Sequence, residues 1–312
     1  MIIKKTGFDK FMESLKKRYD VYAPIGNKFE KLGNPEEITL DRKTTFSARE
    51  IFFPNREELL KFNENKTEEI KPKIKKTILF GVRPCDMNAI KHLDLVLKDD
   101  PYYNERRKNT IILGVQCVKH FPNCFCHLTG TFETDNYDML FIESDNNFFI
   151  QIGSKQGEAL VKNFKPKVKK VSANEVETLL TLIKQDFIME SRKYNIFINE
   201  EKIKEFTRCL SCNMCNAVCP TCACYLLRDR INVDLKSGIR YREWDSCQLE
   251  RYTKIAEGVV FRKERIQRVH NWIFCKFDYS KKNHGMYGCV GCGRCVSVCP
   301  VKINIFDAVE MK

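Results

Sequence analysis

Two stretches of this chain repeat one cysteine pattern. Cys209-x2-Cys212-x2-Cys215-x3-Cys219-Pro220 and Cys289-x2-Cys292-x2-Cys295-x3-Cys299-Pro300 are each written out in full. Three cysteines at intervals of three let a short loop wrap one corner of an iron–sulfur cubane. The fourth, ahead of proline, leaves the loop and can reach a second cube. The spacing therefore calls for two [4Fe-4S] clusters with crossed ligation. Cys209, Cys212, Cys215 and Cys299 would hold one, and Cys289, Cys292, Cys295 and Cys219 the other. A tetrahedral zinc site is built from paired Cys-x2-Cys units, which a triple followed by Cys-Pro is not.

Eight further cysteines lie outside these runs. Cys85, Cys117, Cys124 and Cys126 fall in the first half, the last two within Asn123-Cys124-Phe125-Cys126-His127. Four thiols that converge would make a third [4Fe-4S] cluster. The alternatives are a zinc or redox-active thiol site, or plain packing, and His120 or His127 could replace one thiolate. Cys222, Cys224 and Cys247 read as small apolar groups lining a cluster pocket, with a further metal or thiol site as the alternative, and Cys275 reads as core. Gly291 and Gly293 let backbone approach a cluster closely, while Asn213 and Asn216 stand for glycine in the first loop. Arg208, Arg294 and Lys302 are expected to favour the reduced clusters by their charge.

The elements that must position these residues are legible in part. Phe8, Phe11, Met12, Leu15 and Tyr19 have helical spacing and give an opening amphipathic helix. Asn63 to Lys76 reads as a charged surface loop. Residues 77–82 and 110–115 are short apolar runs of buried-strand type, with a helix over 86–97 between them. Strand, helix and strand make a βαβ unit with a parallel pair. Cys85 and Cys117 then fall just past the carboxyl ends of adjacent strands, the edge where open α/β sheets collect ligands. A hairpin over 139–143 and 148–152 follows, then helices over 155–163 and 174–188. From about residue 200 the strand signal fades, and the insert between the two motifs reads as helix, Arg251 to His270 above all. The expected organisation is an α/β domain with a partly parallel sheet over 1–195, then an α-helical ferredoxin domain with two [4Fe-4S] clusters over 196–312.

Composition bounds the function. The chain has 312 residues, 54 Lys and Arg against 41 Asp and Glu, and 16 cysteines. No apolar run is long enough to span a bilayer, and the first residues lack a signal-peptide pattern, so a cytoplasmic protein with thiols free for metal is expected. Each oxidised cubane with four thiolates carries about −2, so three would cancel roughly six of the thirteen excess positive charges. No nucleic-acid recognition module accompanies the remainder, which points instead to a docking surface for an acidic partner subunit. No Gly-x-Gly-x-x-Gly offers a dinucleotide cradle, and no nucleophile–base pairing is evident.

Gly81-Val82-Arg83-Pro84-Cys85-Asp86, Asp100-Pro101-Tyr102-Tyr103, the Cys117 to Cys126 stretch, Cys219-Pro-Thr-Cys-Ala-Cys224 and Trp244-Asp-Ser-Cys247 resemble two related proteins, in order and over nearly the whole chain. One is the iron–sulfur beta subunit of soluble nickel–iron hydrogenase, or sulfhydrogenase; the other is the iron–sulfur subunit of anaerobic sulfite reductase. The resemblance implies an electron relay between a flavin-containing subunit that handles NAD(P)H and a catalytic partner, a hydrogenase or a siroheme sulfite reductase subunit. It implies the eight ferredoxin cysteines as ligands, with Cys85, Cys117, Cys124 and Cys126 beside them. Arg-Pro-Cys-Asp and Trp-Asp-Ser-Cys lean toward the hydrogenase branch. The competing expectation is an oxidoreductase whose own α/β domain binds a flavin or an open-site cluster; a flavin on this chain is not favoured.

Overall fold

The structure, a computed structural model, describes residues 1–162, 173–188 and 195–311. Its centre is a seven-stranded sheet made from β1 (Ile2–Lys4), β2 (Asp20–Ile25), β3 (Lys28–Lys31), β6 (Thr77–Val82), β7 (Thr110–Val115), β8 (Met139–Ser144) and β9 (Asn147–Ile152). Two strands between them in the chain, β4 (Arg56–Asn63) and β5 (Thr67–Glu69), belong to a separate sheet. The large sheet has the order β1-β9-β8-β7-β6-β2-β3. Its four inner strands, β2, β6, β7 and β8, run parallel, and the strands at both edges are antiparallel.

Every residue of β6 and β7 is buried, as expected of strands covered on both faces. On one face lies the opening helix, Lys5–Lys16, whose Phe8, Phe11, Met12 and Leu15 are the buried stripe. The Phe8 ring sits 5.2 Å from that of Phe80 and 5.1 Å from that of Phe148. On the other face the helix Pro84–Val96 starts directly after β6, with proline at its first turn, where a missing N–H costs nothing. The next helix, Pro101–Lys108, is capped by Asp100, whose Oδ1 accepts from the N–H groups of Tyr102 (3.0 Å) and Tyr103 (2.9 Å). The hairpin of β8 and β9 forms as the sequence indicates, as do helices Lys155–Lys162 and Ala173–Ile188. Residue 163, expected in the former helix, and residues 189–194, next to the expected domain division, lie outside the described residues.

The insert between the cysteine motifs departs from expectation. Besides the helix Arg265–Phe274 it carries a hairpin; numbering on from β10 (Ile196–Ile198), this is β11 (Tyr225–Ile231) and β12 (Ser237–Trp244). The hairpin joins β4 and β5 in an antiparallel sheet of order β11-β12-β4-β5, which crosses the expected division of the chain. β5 itself falls in the stretch 63–76 read as loop. The hairpin is hidden in the sequence because its strands are rich in arginine, a residue of high helix propensity. Here they form cross-strand pairs: Arg228 with Glu243, and Arg240 with Asp229 at 2.7 Å. Arg242, buried, binds Glu57 of β4 at 2.8 Å and also Asp100, fastening the hairpin to the first half. The last strand, β13 (Val309–Met311), pairs with β10, so the two ends of the segment that holds both cysteine motifs close on each other. No described helix is long and apolar enough to cross a membrane.

Candidate iron–sulfur centres

The two cysteine loops have the same backbone. In Cys209–Cys215 the residues with positive φ are Ser211 (+53°) and Asn213 (+70°); in Cys289–Cys295 they are Gly291 (+60°) and Gly293 (+69°). Residues in this left-handed region, alternating with right-handed ones, turn successive N–H groups to one side and make a nest for an anion. Asn213 does stand for a glycine, and asparagine tolerates that conformation. Ser211, not Asn216, is the other counterpart. Asn216 lies in the helical turn Met214–Ala217, with its side-chain amide 3.3 Å from Cys247 Sγ.

Two cavities open inside these loops. The first is lined by Cys209, Cys212 and Cys215 with Cys295 and Cys299 from the other motif. The second is lined by Cys289, Cys292 and Cys295 with Cys215 and Cys219 from the first motif, so Cys215 and Cys295 border both cavities. The structure thus gathers both crossed sets named from spacing. Gln248, only 1% exposed, lines the first cavity, and neither its amide oxygen nor its amide nitrogen has a protein partner. A sulfur-rich ligand would satisfy that amide. The Ser211 N–H lies 3.4 Å from Cys209 Sγ, and the Ile303 N–H 3.3 Å from Cys299 Sγ. Burial pushes the thiols of Cys215, Cys289 and Cys295 up, Cys289 to about 12. Such thiols stay protonated until a metal displaces the proton. Among the described residues, no three His, Cys, Asp or Glu side chains converge on a point where one ion could sit.

The first-half cysteines lie against the second loop. Cys85 is the second residue of its helix at the end of β6, and Cys117 follows β7. Cys85, Cys117 and Cys126 are buried in one apolar cluster that also contains Cys292, with Cys124 packed against it. The Phe125 N–H donates to Gly291 O at 2.7 Å, and Thr131 Oγ1 to Val290 O at 2.7 Å. A Cβ on Gly291 would stand 2.6 Å from Cys126 Cα, and one on Gly293 1.9 Å from Asn123 O. The two glycines are therefore required by this backbone contact. The hydrogen bond with Cys126, seconded by His120, lowers Cys124 to about 5 and raises Cys126. His120 Nδ1 is 3.8 Å from Cys124 Sγ, and the His120 ring meets that of His127 edge-on at 5.3 Å.

The 4Fe-4S dicluster domain family matches residues 208–303, the span that contains both cavities. Sulfhydrogenase 2 subunit beta of Pyrococcus furiosus is 31% identical to this protein, across 95% of this chain and 93% of its own. The chain belongs to the sulfhydrogenase beta-subunit family. No solved structure matches it.

This beta-subunit chain arranges its charges otherwise than the sequence suggested. Arg294 is not a free cation beside a cluster. It is buried and bound to Asp86 at 2.5 and 2.7 Å, with Nε donating to Thr44 O at 2.8 Å. Arg208 and Lys302 are exposed, Arg208 donating to Val301 O at 3.1 Å. The cation that lines the second cavity is Lys276, 4% exposed, with Nζ donating to Thr221 Oγ1 at 2.8 Å. Burial opposes its charge, but the sulfurs of Cys219, Cys222, Cys275 and Cys289 more than offset that and hold it protonated. Sequence reasoning missed Lys276 and Gln248. The signal for Lys276 was there: it shares the face of Trp272, Ile273, Phe277 and Ser280 at helical spacing, a lone lysine on an otherwise buried stripe. Cys275, read as core, is exposed.

Proposed function

We propose that this chain is an electron-relay subunit with no substrate chemistry of its own. Cys209, Cys212, Cys215 and Cys299 hold one [4Fe-4S] cluster, and Cys289, Cys292, Cys295 and Cys219 a second. A third occupies Cys85, Cys117, Cys124 and Cys126. Bound clusters supply one-electron redox chemistry; the protein supplies their thiolates, N–H nests and buried cations. The observation that carries the reading is the seating of the Asn123–Cys126 loop on the Cys289–Cys295 loop, next to a cavity that shares Cys215 and Cys295 with the first, across the division proposed between 1–195 and 196–312. Electrons would enter from a flavin-containing NAD(P)H oxidoreductase partner and leave to a nickel–iron catalytic subunit, or the reverse. The hydrogenase side is supported by the name of the Pyrococcus relative; a siroheme sulfite reductase partner is the second choice.

Iron and acid-labile sulfide of the anaerobically purified chain, with EPR of the dithionite-reduced protein, test this. The expected result is at least about twelve irons per chain, with about four lost in the Cys124→Ser/Cys126→Ser variant. Undiminished iron in that variant would remove the third cluster, and stoichiometric flavin on the isolated chain would overturn the pure relay.

A further inference from the structure

Four cysteines belong to none of these sets. Cys222 and Cys224 lie on the strap that leads from Cys219 into β11. Cys247 follows the end of β12, where the Asp245 N–H donates to Cys224 O at 3.0 Å and folds the two strand ends together. Cys275 opens a π-helical turn, Cys275–Tyr279, at the end of the helix Arg265–Phe274. A π-turn re-aims side chains and recurs at functional sites. These segments bring the thiols into one neighbourhood. Cys224 packs against the apolar cluster that contains Cys247, the Asn216 amide reaches Cys247 Sγ at 3.3 Å, and Lys276, next to Cys275, donates at 2.8 Å to the hydroxyl of Thr221, next to Cys222.

A second observation is the charge beside them. Arg49 is 5% exposed and ion-pairs with no carboxylate among the described residues. It donates to the carbonyls of Cys222 (2.6 Å), Ala217 (3.1 Å) and Asn216 (3.2 Å), lies 3.7 Å over the Trp244 ring, and its Nε has no partner. Its guanidinium is thus held on the backbone of Ala217 to Cys222, the segment that carries Cys219 and Cys222. A buried cation needs a counter-charge, which neutral thiols do not give and metal-bound thiolates do. No single ion has its ligands gathered here, but neither does any within the matched dicluster segment.

We propose that Cys222, Cys224, Cys247 and Cys275 ligate a further iron–sulfur cluster, next to the centre that Cys219 serves. The proposal rests on the relay reading only for its role as another one-electron station. Brief iodoacetamide labelling of the native anaerobic protein, read by peptide mass, tests it without mutation. Cys275 and Cys224 are expected to stay unlabelled until iron is stripped with ferricyanide and chelator, although Cys275 is exposed. Full labelling of both in the iron-replete protein, or a Cys224–Cys247 disulfide there, overturns the proposal. In parallel, Cys224→Ser/Cys247→Ser is expected to lose two to four irons while keeping those lost in Cys124→Ser/Cys126→Ser. Unchanged iron in the former overturns this site alone; unchanged iron in the latter overturns only the third cluster. Should the Cys224/Cys247 variant fail to hold any iron, the labelling result decides.

Discussion

Asp86 and Arg294 join the helix that carries Cys85 to the loop that carries Cys292 and Cys295, and both are 2% exposed. Replacing Asp86 by Asn keeps the shape and one acceptor but strands a buried guanidinium whose other partners are only Thr44 O and its hydroxyl. Removing one member of a buried ion pair costs about 3–5 kcal/mol. The retained acceptor places Asp86→Asn near the lower bound, about 3 kcal/mol. At roughly 2 °C per kcal/mol for a chain of this size, the melting midpoint should fall by about 6 °C. Anaerobic thermal unfolding at a fixed scan rate measures this, with iron content checked beforehand. The double replacement Asp86→Leu/Arg294→Met, which removes both charges, should lie within about 1 kcal/mol of the native protein, since apolar pairs replace buried ion pairs at little cost. A single variant that melts within 1 °C of native, or a double variant less stable than the single, refutes the reasoning.

Gly293→Ala should displace the Asn123–Cys126 loop, because the new Cβ meets backbone at 1.9 Å; Gly130→Ala, with φ +70° and nothing within 4 Å, should cost only about 1 kcal/mol of strain and leave iron content unchanged. Lys276→Met removes a positive charge from the wall of the second cavity, so the potential of that centre should fall in an EPR-monitored titration. With an effective dielectric of about 20 and a separation of about 6 Å, one charge is worth roughly 3 kcal/mol, on the order of 100 mV, and an unchanged midpoint would dismiss the residue. Burial first, and Lys276 second, lower His92 to about 3. Its folded value lies below the usual 6.5, so the unfolded chain binds the extra proton, and stability present above pH 6.5 should be lost by about 1.4 kcal/mol per pH unit as pH falls toward 3. His92→Gln should flatten that slope between pH 6.5 and 5.

The ferredoxin cysteines were readable because their spacing encodes the loop itself, and β6 and β7 because strands buried on both faces leave unbroken apolar runs. The hairpin of β11 and β12 was not, since β11 carries Tyr225, Leu227 and Ile231 on its exposed side and both strands hold arginines that a helix would accept as readily. What decides for strand is β4, about 180 residues away in sequence, offering its free edge to β12. The same distance hid the fate of Arg294. Its position in the motif suggested a cation for the cluster, and only the fold places Asp86 against it. Cys85 and Cys117 were found from a general rule about the carboxyl ends of parallel strands. The docking of the Cys124–Cys126 loop on Gly291 and Gly293 had no local signal, because those glycines already had a sufficient reason in the cluster motif.

The buried basic residues sort themselves by what they lie beside. Arg49, Arg83, Arg242, Arg268, Lys276 and Arg294 are each no more than 6% exposed. Arg242 and Arg294 have carboxylates. The other four make no ion pair among the described residues, and each borders a different thiol set. Arg83 lies by Cys117, donating to the Gln116 carbonyl and facing the Phe121 ring. Arg268 reaches the Ser211 hydroxyl in the first cysteine loop and the Gln248 carbonyl. Lys276 lies in the second cavity, and Arg49 against Cys222. Four cations buried without carboxylates would be a heavy cost in a protein of neutral thiols. Were the four proposed thiol sets metal-bound, each would be a counter-charge, which would also lower what the net +13 says about docking. Part of that excess faces inward beside the cysteines, where under the proposed ligation it would balance cluster charge and set how readily each centre takes an electron.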